Sequence, residues 1–127
     1  MTFRIITVFE KEGAQIESEI WATPGWLKFQ QFYLLENNSY LCNLDKKISE
    51  DGSYLEYYVD YHDEEAFLAW YEEWKDLYDD LRTQVIENLK SRGVQHTVYW
   101  PETSFVLIED PDARQLTQFQ SKLPLPN

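Results

Sequence analysis

Residues Glu64–Gly93 read EEAFLAWYEEWKDLYDDLRTQVIENLKSRG, and the folding of this stretch decides how the rest of the chain is arranged. It carries eight acids and four bases. Stepping about 100° per residue places Phe67, Trp70, Trp74, Leu77, Tyr78, Leu81, Val85 and Leu89 in one sector. Glu65, Glu72, Asp76, Asp79, Asp80 and Glu87 fall opposite, with Lys75 and Arg82 on the flank. Asp63 suits an N-cap, and Glu64 and Glu65 favour the positive end of the helix dipole. Gly93 stands where a helix-terminating glycine belongs, with Lys90 and Arg92 before it and Val94 beyond. One long amphipathic helix is predicted, with its rings on a sheet and its carboxylates outward.

Working back from the helix, Tyr54–Tyr61 (YLEYYVDY) and Phe3–Glu10 (FRIITVFE) have the β-branched and aromatic content of strands. Ala14–Trp21 alternates, Ile16 and Ile20 against Glu17 and Glu19, which predicts a hairpin partner for the first strand. Residues 26–36 (WLKFQQFYLLE) fit a strand with Leu27, Phe29, Tyr33 and Leu35 on one face. They also fit a helix capped by Thr23 with Pro24 behind it. The strand is preferred because residues 36–39 (ENNS) look like a hairpin turn into SYLCNLDKK. SEDGS at 49–53 is a further turn. Beyond the helix, His96–Trp100 and Ser104–Asp110 read as a β-hairpin turned at PET, followed by a short terminal helix and an extended LPLPN tail. The expected architecture is α+β: an antiparallel meander sheet packed by one long helix, then a C-terminal hairpin and short helix. Residues 1–122 form one domain in this reading, and 123–127 form the tail.

Composition narrows the function. Net charge is −12, from 23 acids against 11 bases. That balance repels phosphate backbones and anionic lipid, so neither direct nucleic-acid binding nor membrane binding is expected. No apolar run approaches the roughly 18 residues of a membrane span. Arg4 interrupts the first apolar stretch, unlike a signal peptide, and a cytoplasmic protein is expected. Nine Tyr, seven Phe and five Trp supply large rings for a core or an interface.

The four glycines are too dispersed for a phosphate-binding loop, and no GxSxG, HExxH or CxxC is present. No catalytic residue, metal site or cofactor is assigned. Cys42, the lone cysteine, reads as a small buried hydrophobe. In DYHDEE (60–65), His62 with Asp60 and Asp63 is the one acid–base or metal constellation worth weighing. Tyr54, Glu56, Tyr58 and Asp60 share a strand face, either a tyrosine-lined surface suited to a protein partner or a partly covered second face of the sheet.

The leading expectation is a non-catalytic binding protein, inhibitor-like or immunity-like or an imitation of nucleic-acid charge. It presents Glu65, Glu72, Asp76, Asp79 and Asp80 to a basic protein surface. The first alternative is a small-molecule-binding domain or small enzyme with an aromatic pocket near His62. The second is an assembly subunit: a straight helix near 44 Å long overhangs an eight-residue strand, so it either bends or packs its free end against a second copy in a homodimer, with an exposed Trp70–Tyr71 turn and the terminal helix as candidate contacts.

Overall fold

The computed structural model describes residues 2–33, 39–102 and 112–124. Along the chain they form β1 (Phe3–Glu10), α1 (Ile16–Trp21), α2 (Trp26–Tyr33), β2 (Leu41–Ile48) and β3 (Tyr54–Tyr61). Then come α3 (Glu64–Ser91), β4 (Gln95–Trp100), β5 (Ala113–Gln115) and a 3-10 turn over Leu116–Gln118. The fold is mixed α+β, with a five-stranded sheet in the order β2-β3-β1-β4-β5 and α3 packed across it.

The sheet is not a simple meander. Among the described strands only β2 and β3 form a hairpin of neighbouring strands, while β1 lies between β3 and β4 and pairs antiparallel with both. Phe3 stands opposite Tyr61 and Glu10 opposite Tyr54. With both edges of β1 taken, Ala14–Trp21 has no strand to join. Ile16–Trp21 is instead helical. Ile16 and Ile20, four residues apart, share a face in either geometry, and here both are buried against Phe9, Leu55 and Leu89.

Residues Trp26–Tyr33 are also helical, not extended. Trp26 and Phe32 are buried while Leu27 is 56% exposed, the reverse of what the strand reading requires of Leu27. Trp26, Phe29 and Phe32, three residues apart, line one helical side and meet α3 through Tyr78 and Trp74. Most of the predicted ENNS turn, and Leu34–Glu36 of the predicted strand, lie outside the described residues.

At the other end, Ser104–Asp110, the second strand of the expected hairpin, is likewise outside the described residues. The described edge partner of β4 is β5, and that pairing is parallel. The expected terminal helix is reduced to the 3-10 turn. Leu116, Phe119 and Leu123 then cross the sheet face opposite α3, against Ile6, Val8, Tyr54 and Tyr58.

The long helix runs unbroken for 28 residues. Asp63 caps it, accepting a hydrogen bond from the Ala66 backbone N–H at 2.7 Å. At the far end Gly93, with φ of 77°, lets the Val94 N–H reach the Leu89 carbonyl at 3.0 Å. Neither end overhangs: Phe67 stacks on Phe3 at 4.9 Å, and Leu89 is fully buried near Ile16. Trp70 and Tyr71, expected to be exposed, are 1% and 5% accessible, whereas Leu77 is 45% exposed. The buried arc is turned toward Tyr71 and Tyr78 because α2 brings Phe29 and Phe32 to that flank. Cys42 is exposed rather than buried, at an irregularity in the pairing of edge strand β2. Among the described residues, no helix is long and apolar enough to cross a membrane.

Two outcomes are expected. Trp70→Ala should lower stability by about 3–5 kcal/mol, and Leu77→Ala by no more than about 0.5 kcal/mol, as read by urea unfolding. Similar costs at the two positions would contradict this arc. In the β2–β3 turn, Asp51 accepts from the Ser53 N–H at 3.0 Å and from the Ser49 and Ser53 hydroxyls at 2.8 Å. These bonds, the Ser53 N–H first, hold its carboxyl down at about 2 against an ordinary 3.8. A lowered value stabilises the fold above the ordinary one and loses that contribution as the pH falls to the folded one. The stability gap between wild type and Asp51→Ala should therefore be full above pH 3.8 and close toward about pH 2, as followed by acid titration of unfolding.

Candidate functional site

With its rings committed inward, α3 turns Glu65, Glu72, Asp76, Asp79 and Asp80 to solvent, and all five are exposed. Steps of four residues, Glu72 to Asp76 to Asp80, put carboxylates about 6 Å apart along the axis. Like charges at that spacing oppose an isolated helix by about 0.2–0.5 kcal/mol per pair. Cations of the chain do little to relieve this. Lys75 reaches Glu72 at 3.4 Å, with both partners well exposed and the pair correspondingly weak. Among the described residues, Glu65, Asp76, Asp79, Asp80 and Glu87 have no ion pair.

The bases are engaged elsewhere. Arg92 and Lys11 share Glu19, Lys46 holds Glu17, Lys90 reaches Asp112, and Lys122 reaches Glu10. Beside the ridge, Glu73 accepts from the Tyr40 hydroxyl at 2.7 Å, and that bond raises the Tyr40 phenol above its ordinary value. The Tyr71 phenol is raised as well, by burial first and then by the negative charge of Asp79. The field of the ridge thus reaches the aromatic layer beneath.

The DYHDEE constellation does not assemble. Asp60 points into the sheet face away from α3, where Arg4 Nε and Nη2 donate to its two oxygens at 2.7 and 2.9 Å. Asn43 Nδ2 adds a third donor at 3.2 Å. The hydrogen bond from Arg4 to Asp60 raises the guanidinium above its ordinary value. Asp63 is occupied as the helix cap and His62 is exposed at the turn. Among the described residues no three His, Cys, Asp or Glu side chains converge to hold a metal ion.

Tyr54, Glu56, Tyr58 and Asp60 do share one face of β3, but that face is not open. All four are buried, Glu56 and Tyr58 completely: Tyr54, Glu56 and Tyr58 against Leu116–Leu123, and Asp60 beside Arg4 and Asn43. The sequence signal was the alternation of acids with rings in a strand whose neighbour, β1, places Arg4 on the same side.

A cavity of about 40 Å³ lies between the sheet and the helices, with Trp26, Gln30, Tyr57, Arg82 and His96 in its wall. It does not include His62. At roughly 10–15 Å³ for one water, its scale is that of a few solvent molecules. The indole Nε1 of Trp26 and the amide Oε1 of Gln30 are buried there without a hydrogen-bond partner among the described residues.

The Arg4–Asp60 pair carries an asymmetric prediction. The Asp60 side chain is 4% exposed and that of Arg4 23%. Arg4→Met leaves a buried carboxylate without its cation and should cost about 3 kcal/mol. Asp60→Asn leaves a guanidinium that can turn to water and should cost roughly half as much. Denaturant unfolding of both variants decides it; an equal or reversed order would show that Arg4 is not the group that makes Asp60 tolerable. No protein family, curated protein or solved structure matches the chain.

Proposed function

We propose that the protein is a non-catalytic binding protein whose α3 ridge, Glu65, Glu72, Asp76, Asp79 and Asp80, docks onto a basic surface of another protein. The observation that carries this reading is the exposure of these acids on one uninterrupted helix, where among the described residues only Glu72 has an ion pair, with Lys75, while Lys11, Lys46, Lys90, Arg92 and Lys122 pair elsewhere. An isolated helix is more stable with mixed signs at these spacings. A partner with a matching row of lysine or arginine would relieve the repulsion, and the rigid spacing would fix the register. Partners of this kind include nucleic-acid-binding proteins, whose phosphate-binding grooves accept a row of carboxylates, and enzymes held inactive by an acidic inhibitor. The ridge would then act by covering the basic site.

The small-molecule reading has weaker support. The aromatic cavity is an order of magnitude below the roughly 300–1,000 Å³ of ordinary ligand pockets, and His62 takes no part in it.

Exposed charge steering is screened over about 8 Å at physiological ionic strength. Affinity capture from native extract over a salt series should therefore recover a basic partner at low salt and release it progressively. Asp76→Lys with Asp79→Lys and Asp80→Lys should weaken that association by about a hundredfold, the scale of two or three lost charge contacts, with unfolding little changed. Recovery of no basic partner at low salt, or equal binding by the triple variant, would refute the proposal.

A further inference from the structure

The face of the sheet opposite α3 is covered by a strap of the chain itself, and the fit is uneven. Beneath the strap Ile6, Val8, Tyr54, Glu56 and Tyr58 are buried. Within the strap, no residue from Asp112 to Pro124 is buried; Leu116, Phe119, Ser121 and Leu123 are half-exposed. The strap is anchored by the three-residue strand β5, by Phe119 against Tyr99 at 4.6 Å and by Lys122 over the Tyr54 ring at 4.6 Å. Lys122 also reaches Glu10 at 3.8 Å.

The chemistry at the centre is undersupplied. Glu56 is fully buried, and among the described residues it has no ion pair. Tyr58 donates its hydroxyl to Glu56 from the same strand. The strap offers only Ser121, whose Oγ lies 2.6 and 2.5 Å from the two Glu56 oxygens and 2.5 Å from the Leu123 carbonyl. A hydroxyl has one proton to donate, so three acceptor oxygens compete for one hydrogen. A buried carboxylate is well tolerated only with a cation or a full set of donors. A lysine or arginine in the same place would supply three or more donors and the missing positive charge.

We propose that the face formed by Tyr54, Glu56 and Tyr58 is a docking groove for an extended segment of a partner protein, and that Phe119–Leu123 fills it in cis until displaced. The segment carries a lysine or arginine within reach of Glu56, flanked at two-residue spacing by apolar side chains that replace Phe119 and Leu123. The cis strap is held in register by β5 against β4, which seats its backbone close to Glu56 and suits a short serine. A free segment has no such tether and can ride higher, giving a longer basic side chain room to reach the carboxylate. Charge complementarity extends outward, since Glu10 at the groove edge already binds the strap's Lys122. Burial first, and then Glu56, raise the phenols of Tyr54 and Tyr58 above their ordinary value. This groove lies on the opposite side of the sheet from the α3 ridge, and its use is independent of that ridge.

The test uses the full chain and a labelled synthetic peptide, QLTQFQRKLP, which is the strap sequence with arginine in place of Ser121. Phe119→Ala and, separately, Ser121→Ala loosen the strap without touching the groove wall. By mass action on the open fraction, the peptide should bind either variant about tenfold tighter than it binds wild type, as read by fluorescence anisotropy. Its advantage over the unaltered serine peptide should disappear in Glu56→Gln, while circular dichroism stays unchanged. Binding should also bring the β5 amides into faster hydrogen exchange as the strap leaves. Failure of the arginine peptide to bind either loosened variant, or undiminished preference for arginine in Glu56→Gln, overturns the proposal. Concentration-dependent dimers of the loosened variants that exclude the peptide would assign the groove to a second copy's strap and overturn it as well.

Discussion

The constraint on which the rest of the fold depends is that β3 is buried on both faces. Antiparallel sheets commonly leave one face to water, and a strand that alternates rings with acids looks suited to that arrangement. Here Leu55, Val59 and Tyr61 face the helices, with Tyr57 alone half-exposed on that row, while Tyr54, Glu56 and Tyr58 face the strap and Asp60, on the same row, is buried beside Arg4. Every polar group on the second row must therefore find its partner inside the protein. Asp60 does so through the bidentate pair with Arg4, which explains an arginine beside Ile6 and Val8 on that row of β1. Glu56 does so only through hydroxyls, and the strap supplies one of them.

The aromatic surplus follows from the same geometry. Two short helices and one long one must close over a twisted sheet, and large rings bridge the gaps that aliphatic side chains would leave. Tyr61 meets Trp70 at 5.3 Å, Phe32 meets Trp70 at 5.7 Å, and Phe9 meets Trp26 at 5.8 Å. These contacts tie β1, β3, α2 and α3 into one aromatic layer. Once α3 spends its rings there, the outward arc has only charged and polar residues left to carry.

Much of this was legible in the residues, and the failures have identifiable causes. The strands β1 and β3, the helix α3 and both of its caps follow from residue type, period and stop signals, and their bounds agree closely with expectation. Ile16 and Ile20 could not decide between strand and helix, because a spacing of four satisfies both periods. What decided it was that β4 occupies the second edge of β1, a non-local fact. The phase of α3 was misread at its margins for a similar reason. Leu77 and Tyr71 lie about 20° and about 100° to either side of Trp70, and only the position of α2 determines which of them is covered. The acid ridge was legible as a pattern, since exposure of the outer arc follows from burial of the inner one. A partly covered second face of β3 was legible as an alternative; the segment that covers it was not, because the strap has too little periodicity to announce a docked segment.

An excess of acids over bases means that some carboxylates must do without a cation from their own chain. Among the described residues, two unlike settings hold carboxylates of this kind, the α3 ridge and the buried site of Glu56. Along α3 water solvates them, so each costs little, and the only penalty is mutual repulsion along a rigid line. At Glu56 water is excluded, and the deficit is one of donors as well as charge. The two settings respond differently to a cation brought from outside. On the ridge the gain is long-ranged, weakened by salt and spread over several residues, which favours fast and adjustable association. In the groove it is short-ranged and concentrated on one carboxylate shielded from salt, and it requires a segment of the chain to move first. Under the two proposed uses, the same shortage of cations would yield a surface that attracts without rearrangement and a groove that binds only after one.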